Sequence, residues 1–166
     1  GDYQLENAAT AVAALEVLVS QGFAISAEEV AQGLAQVKWP GRFQILNHQP
    51  VILVDGAHNE ASMRRLVESI KAYFSYDRIF LILGTSCDKD IPSIVKELIS
   101  LSPRVIVTRS SHPRAASPSI IAPEFAKRGI KPKIADTVDE ALSQTLSLAS
   151  KRDLICVTGS LFAVAE

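Results

Sequence analysis

Short apolar runs alternate along most of this chain with longer segments in which apolar residues recur every three or four positions. The apolar runs predict strands at 43–46, 51–54, 79–83, 104–108, 133–135 and 154–157, with a further short one at 162–164. The helical spacing predicts helices at 60–74, 91–100, 119–127 and 138–150. Strands that alternate with helix-sized segments predict a mostly parallel sheet covered on both faces. The short polar turn after the strand at 43–46 predicts instead that this strand pairs antiparallel at a sheet edge.

The first part of the chain has a different pattern, with two predicted helices and no strand. Residues 5–19 are rich in alanine and leucine, and Gly22 follows as a helix stop. Ser26 and Glu29 form a capping-box pattern, which predicts a second helix to about Gln36. The first helix has so many apolar positions that it must pack either under the sheet or against a partner that the chain lacks.

A break at Trp39, Pro40, Gly41 and Arg42 separates these two patterns. We therefore predict a helical segment at 1–38 and an α/β domain at 39–166. The fold class that follows is a Rossmann-like three-layer sandwich with a mostly parallel sheet, preceded by two helices.

The composition argues against nucleic acid or a membrane as a partner and against a metal site. The net charge of the 166 residues is −1 and no basic run occurs, which argues against nucleic acid as a partner. No apolar run is long enough to span a membrane, so no membrane partner is expected. The two cysteines, Cys87 and Cys156, lack a paired spacing, which favours a reducing cytoplasm and predicts no metal site.

A group of polar residues follows the second predicted strand directly. These residues are Asp55, Gly56, Ala57, His58 and Asn59. Polar side chains at the carboxyl end of a buried parallel strand lie where open α/β sheets bind ligands. The structural alternative is that Asp55 and Asn59 only cap the next helix.

Three more polar loops follow predicted strands, at 84–90, 109–115 and 158–161. Each has a structural explanation by itself; for example, Asp90 is placed to cap a helix that has Pro92 near its start. Because the carboxyl ends of parallel strands share one edge, the four loops together predict one wall of a polar site. Gly56 stands alone after its strand, and no glycine-rich loop ends in Lys-Ser or Lys-Thr. A dinucleotide fingerprint and a phosphate loop are therefore both absent from the sequence.

Several motifs together resemble those of folylpolyglutamate synthase and dihydrofolate synthase, which belong to the Mur-type amide ligases. They are Gln4 and Asn7 in the first helix, the residues at 39–42, those at 55–59, those at 88–90 and those at 158–161. The resemblance implies ATP-dependent addition of L-glutamate to folate, to dihydropteroate or to both, through an acyl phosphate. It places the protein in folate biosynthesis and one-carbon metabolism. It also implies that this chain is the C-terminal part of such an enzyme, inactive alone.

The resemblance also implies cofactors and site residues. The phosphate loop and the Mg2+ ligands would lie in a covalently linked N-terminal ATPase domain, with 1–38 as the end of that domain. Asn7 would contact adenine, Arg42 the nucleotide phosphates and Asp55 the ribose. His58 would bind nucleotide or the incoming glutamate, and Ser160 would lie near the glutamate. No catalytic residue and no metal ligand is assigned within the chain.

Three further matches to this pattern, Asp88, Lys89 and Arg114, have no assigned role. Two alternatives stay open at this point. The chain could be the corresponding domain of a peptidoglycan-precursor ligase, or a stand-alone nucleotide-binding or interaction module. Different residues around the glycine–arginine turn and the Asp55 loop would be expected in the peptidoglycan branch.

Overall fold

The computed structural model describes residues 3–166, and the chain divides into two compact units, Gly1–Pro40 and Gly41–Glu166. The first two residues of the predicted segment 1–38 lie outside the described residues. The division between the units falls two residues after the predicted boundary. The assignment of 1–38 to an ATPase domain stays a prediction.

The first unit contains two helices, α1 (Tyr3–Ser20) and α2 (Ala27–Gln36). The predicted capping box is present, since Ser26 accepts a hydrogen bond from the Glu29 amide and the Glu29 carboxylate accepts one from the Ser26 amide. Gly22 has φ +96°, a conformation that glycine adopts without strain. None of residues 4–40 is buried, and Trp39 is 63% exposed. The helix pair therefore does not enclose a core within this unit.

The second unit is built on a six-stranded sheet with the order β1-β2-β6-β3-β4-β5. The strands are β1 (Gln44–His48), β2 (Val51–Asp55), β3 (Ile79–Leu83), β4 (Arg104–Val107), β5 (Lys133–Ile134) and β6 (Leu154–Thr158). Strand β1 pairs antiparallel with β2 at one edge, and all other pairs are parallel. The predicted mostly parallel sheet and its antiparallel edge strand are both confirmed.

Helices cover both faces of this sheet, which confirms the predicted three layers. They are α3 (Glu60–Tyr73), α4 (Ile91–Leu98), α5 (Pro118–Ala126), α6 (Val138–Leu148) and α7 (Leu161–Val164), with a 3₁₀ turn at Ile99–Leu101. Alternate strand residues point to opposite faces. Leu53 and Leu81 pack with α3, α4 and α5 on one face, whereas Val54 and Ile82 pack with α6 and α7 on the other. Strands buried on both faces explain the nearly continuous apolar runs in the sequence.

The short run at 162–164 is not a strand, and this prediction was wrong. The residues form the helix α7, because Gly159 leaves β6 with φ +109° and the Ser160 hydroxyl then caps the new helix by accepting a hydrogen bond from the Ala163 amide. A short apolar run does not distinguish strand from buried helix by periodicity. The helix predicted at 91–100 also ends earlier, at Leu98, where the chain tightens into the 3₁₀ turn.

Within residues 3–166, no helix combines the length and the apolar character needed to cross a bilayer.

Candidate functional site

The polar loops that follow three adjacent strands lie at the same edge of the sheet. Asp55 at the end of β2 pairs in register with Thr158 of β6, and Thr158 pairs with Leu83 of β3. The Asp55 and Ser160 loops are therefore neighbours at the carboxyl ends of parallel strands. The predicted convergence of these loops is confirmed.

Backbone hydrogen bonds join these loops to one another. The Gly159 amide donates to the Ala57 carbonyl over 3.0 Å, and the Gly84 amide donates to the Thr158 carbonyl over 3.1 Å. The Gly56 amide donates to the Gly41 carbonyl over 2.7 Å, which ties the turn before β1 to the same edge. These hydrogen bonds hold the loops together at one edge of the sheet.

Gly56 lies directly under the side chain of Leu161, which would have to shift to admit a Cβ. A Cβ at this position would lie 2.4 Å from Cδ2 and 2.8 Å from Cγ of Leu161. The absence of a side chain lets the first residue of α7 cover the turn after β2. The lone glycine of the Asp55 loop thus lies in contact with α7.

Asp55 holds two backbone groups with its two carboxylate oxygens. Oδ1 accepts a hydrogen bond from the Ala57 amide and Oδ2 accepts one from the Phe43 amide, each over 2.8 Å, and the residue is only 3% exposed. Phe43 has φ +47°, an uncommon conformation for a residue with a side chain. The carboxylate therefore fixes the turn that carries Arg42 against the end of β2. Asp55 does not cap the next helix; Asn59 alone does so, by accepting from the Ser62 amide.

Replacement of Asp55 by alanine is expected to lower the free energy of unfolding by about 2 kcal/mol, because the buried Ala57 amide and the half-buried Phe43 amide lose their acceptor. Urea denaturation followed by circular dichroism measures the change. Asp88→Ala is the control, because the Asp88 carboxylate is 48% exposed and forms a surface ion pair with Lys89; its effect should stay below about 0.5 kcal/mol. Equal stability of the Asp55 and Asp88 variants would contradict the role assigned to these two hydrogen bonds.

His58 and Ser160 are each held by a local hydrogen bond. His58 Nδ1 lies 2.9 Å from the Gly56 carbonyl oxygen. Because a carbonyl only accepts, Nδ1 is the donor and Nε2 of a neutral ring is an acceptor. Ser160 is 6% exposed, and its Oγ accepts from the Ala163 amide, which leaves the hydroxyl hydrogen available to a ligand.

The other two predicted site residues lie in different units. Arg42 is half-buried in the turn before β1, where the Gly41 amide donates to Gln44 Oε1 over 2.9 Å. It therefore shares a unit with Asp55 and His58. Asn7 lies in the first unit, where it is exposed on α1 and donates from Nδ2 to Gln4 Oε1 over 3.2 Å.

The loops after β3 and β4 are joined to each other more closely than the sequence indicated. Ser86 and Ala115 form a β-bridge, and the Cys87 amide donates to the Arg114 carbonyl over 2.9 Å. The predicted capping role of Asp90 is confirmed, since its carboxylate accepts from the Ser93 amide.

An aromatic and cationic cluster lies where the loop after β4 meets α7. The ring of His112 stacks on that of Phe162 with a centroid separation of 3.7 Å, and the Arg114 guanidinium lies 5.8 Å from the Phe162 centroid. The Asp88 pKa lies below its usual value, chiefly because of the Lys89 ammonium and to a lesser degree because of Arg114. Sequence reasoning missed this cluster because Phe162 was placed in a strand.

Two buried hydroxyls at this edge have no hydrogen-bond partner among residues 3–166. They belong to Thr85 and Thr108, which follow β3 and β4 and are 2% and 0% exposed. Buried polar atoms are rarely left unpaired. The sequence offered no signal for them, because threonine is common at strand ends. In the described part of the chain, no group of three or more His, Cys, Asp or Glu side chains is placed to hold a metal ion.

Comparison with known proteins identifies the family. Residues 41–161 match the family model described as Mur ligase, glutamate ligase domain. A probable bifunctional folylpolyglutamate synthase/dihydropteroate synthase from Halobacterium salinarum is 34% identical over 167 residues, which cover 100% of this chain and 20% of that relative.

Solved structures agree with this match. Mycobacterium tuberculosis folylpolyglutamate synthase complexed with ADP and AMPPCP superposes with a TM-score of 0.89 at 26% identity, over 99% of this chain and 39% of that one. A bifunctional folylpolyglutamate synthase/dihydrofolate synthase with Mn, AMPPNP and L-glutamate bound superposes with a TM-score of 0.80 at 29% identity, over 92% and 36%. The chain thus spans well under half the length of these relatives. The resemblance seen in the sequence motifs is confirmed, and the chain belongs to the Mur ligase family through its glutamate ligase domain.

Proposed function

We propose that the chain is the C-terminal domain of an ATP-dependent ligase that adds L-glutamate to folate, to dihydropteroate or to both through an acyl phosphate. The observation that carries this proposal is the family match over residues 41–161 together with the in-register assembly of the Asp55 and Ser160 loops. The names of the similar proteins support the folate branch over a peptidoglycan-precursor ligase. They also argue against a stand-alone nucleotide-binding or interaction module.

The substrates and cofactors of the proposal are ATP, Mg2+, L-glutamate and a folate or dihydropteroate. One similar structure contains Mn, AMPPNP and L-glutamate, and another contains ADP and AMPPCP, which supports a nucleotide and a divalent ion in the family. The Mg2+ ligands and the phosphate loop would come from a covalently linked N-terminal ATPase domain. Bound Mg2+ would supply charge neutralisation for phosphoryl transfer.

Four residues of the second unit take the proposed binding roles. Arg42 would bind the nucleotide phosphates, for which a guanidinium is well suited. Asp55 would lie near the ribose while its carboxylate holds the Arg42 turn by the hydrogen bond to the Phe43 amide. His58 would bind nucleotide or glutamate through Nε2, and Ser160 would donate its hydroxyl to the glutamate. Asn7, on α1, would contact the adenine.

Division of the site between two domains suits this chemistry. An acyl phosphate hydrolyses in water, so a site that closes only around bound substrates protects the intermediate. The lack of any buried residue at 4–40 supports the proposal that these helices belong with a preceding domain. The second unit would then contribute one wall of the cleft.

The isolated chain is expected to form no amide bond when given ATP, dihydropteroate and L-glutamate, whereas the complete protein should do so. In the complete protein, Arg42→Ala should lower kcat/KM for ATP by about 10- to 100-fold, because one charge-assisted contact to phosphate is lost. Arg152→Ala is the matched control, since Arg152 is exposed at the amino edge of the sheet and pairs with Asp77. Product formation measured by chromatography with radiolabelled glutamate gives both values.

Two outcomes would contradict this proposal. Turnover by the isolated chain would show that no further domain is needed. Transfer to a peptidoglycan precursor in preference to both folate acceptors would place the protein in the other branch. A His58→Ala variant then separates the two roles of that residue, because it should raise KM for either ATP or glutamate.

A further inference from the structure

A groove of about 400 Å³ opens at the amino ends of β3 and β4 and beside β5, at the edge opposite the candidate site. Its apolar lining includes Phe80 near the start of β3, Ile130 before β5 and Leu148 at the end of α6. Its volume falls in the range of sites that bind small molecules.

Three cationic side chains line the groove, and no acidic residue does. They are Arg104 of β4, Lys131 before β5 and Lys133 of β5, and all three residues are exposed. Within residues 3–166, none of the three makes an ion pair with a carboxylate. The Arg104 guanidinium instead lies 5.8 Å from the centroid of the Phe80 ring. The groove therefore places three positive charges beside apolar side chains, with no carboxylate among its lining residues.

The three cationic residues are not explained by the need to protect a sheet edge from unwanted strand pairing. Lysine on an edge strand hinders unwanted strand pairing, and Lys133 on β5 fits that role. Arg104, however, lies on β4, which is paired on both sides. Lys131 precedes the strand altogether. Charges from three positions converge on one concavity, which is what a bound anion requires.

We propose that this groove binds a small organic anion that has a flat apolar body and at least one carboxylate or phosphate group. The apolar body contacts Ile130 and Leu148, and the anionic group pairs with Lys131, Lys133 and Arg104. Guanidinium and ammonium groups both form strong, charge-assisted hydrogen bonds to such oxyanions. The site is separate from the loops at the carboxyl edge, so it does not depend on the proposed ligase function.

Three probes test the site by NMR titration of the 15N-labelled 166-residue chain. These are 2-naphthoate, 2-naphthyl phosphate and the neutral 2-naphthylmethanol. Either or both anions should produce saturable shifts confined to β3, β4, β5 and the end of α6, and the neutral compound should bind at least about ten-fold more weakly. The two anions together identify whether a carboxylate or a phosphate is preferred.

The variant K131E/K133E should weaken binding of the better anion by at least about ten-fold. K71E/K96E is the control, because it makes the same charge change on α3 and α4, which contribute no residue to the groove, and its affinity should match that of the unmodified chain. Arg104→Gln gives a second test if the double variant fails to fold. Equal affinity for the neutral probe, shifts located at the carboxyl edge, or unchanged binding by K131E/K133E and Arg104→Gln would each overturn the proposal.

Discussion

Replacement of Gly159 by alanine is expected to lower the free energy of unfolding by about 4 kcal/mol, the largest effect of any change considered for this chain. Gly159 has φ +109°, where a residue with a side chain is strained. A Cβ there would also lie 2.6 Å from the Gly84 carbonyl oxygen and 2.7 Å from Leu83 Cδ1. The first of these contacts is to backbone, so relief would require β3 and β6 to separate where their carboxyl ends meet.

Urea denaturation of the Gly159→Ala variant measures this effect, with Gly129→Ala as the matched control. Gly129 has φ +78°, but a Cβ there would meet nothing within 4 Å. The control therefore carries backbone strain without a clash, and it should lose only about 1 kcal/mol. A loss at Gly159 no larger than the loss at Gly129 would show that the loops at this edge are not packed as described.

Replacement of Asp153 by asparagine is expected to lower the free energy of unfolding by about 3 kcal/mol at neutral pH, because a buried carboxylate that accepts hydrogen bonds from a guanidinium becomes a neutral amide with a single acceptor oxygen. Asp153 is 1% exposed and accepts hydrogen bonds from Nε and an Nη of Arg78 and from the amide and hydroxyl of Ser150. Arg78 also donates to the Leu148 carbonyl over 3.1 Å. One carboxylate thus joins the starts of β3 and β6 to the end of α6.

The effect of Asp153→Asn should depend on pH in a defined direction. The Arg78 guanidinium, with help from Ser150, holds the pKa of the Asp153 carboxyl well below its usual range. A depressed pKa contributes stability above the unfolded value of about 3.9, and this contribution is lost as the pH falls from there toward the folded value. The stability difference between the unmodified chain and Asp153→Asn should therefore be constant from pH 7 to about 5 and shrink below about 4.

Urea denaturation at pH 7, 5, 4 and 3 tests this dependence. Asp77→Asn is the control, because Asp77 pairs with Arg152 at the surface, where an ion pair contributes little. Its stability difference should stay below about 0.5 kcal/mol. A difference for Asp153→Asn that is small at pH 7, or that grows on acidification, would contradict the role assigned to the buried carboxylate.

Local signals in the sequence predicted the elements well wherever a pattern extended over several turns or a full strand. The capping residues Ser26, Asn59 and Asp90 stand at helix starts because a side-chain oxygen there satisfies an amide within three residues. The prediction of a strand at 162–164 was wrong because the pattern there is too short. Three apolar residues fit a strand or a helical turn equally, and the decision rests with Gly159 and Ser160.

The candidate site was predicted in part, because parallel strands place their carboxyl ends at a common edge whatever their order. The roles of individual side chains were harder to predict from the sequence. Asp55 looked like a helix cap or a ligand-binding residue, yet its carboxylate also holds the Phe43 amide, twelve residues earlier in the chain. The cluster of His112, Arg114 and Phe162 was missed because it joins segments about fifty residues apart.

The sequence by itself determined the kinds of element, the α/β class, the family motifs and the direction in which the polar loops face, since each depends on periodicity or on neighbours a few residues away. Only the tertiary structure decided that β6 lies between β2 and β3, that the Asp55 and Ser160 loops are therefore adjacent, and that Arg104, Lys131 and Lys133 line one groove. These features depend on contacts between distant segments. Such contacts are selected by the packing of whole elements against one another, which no local pattern encodes.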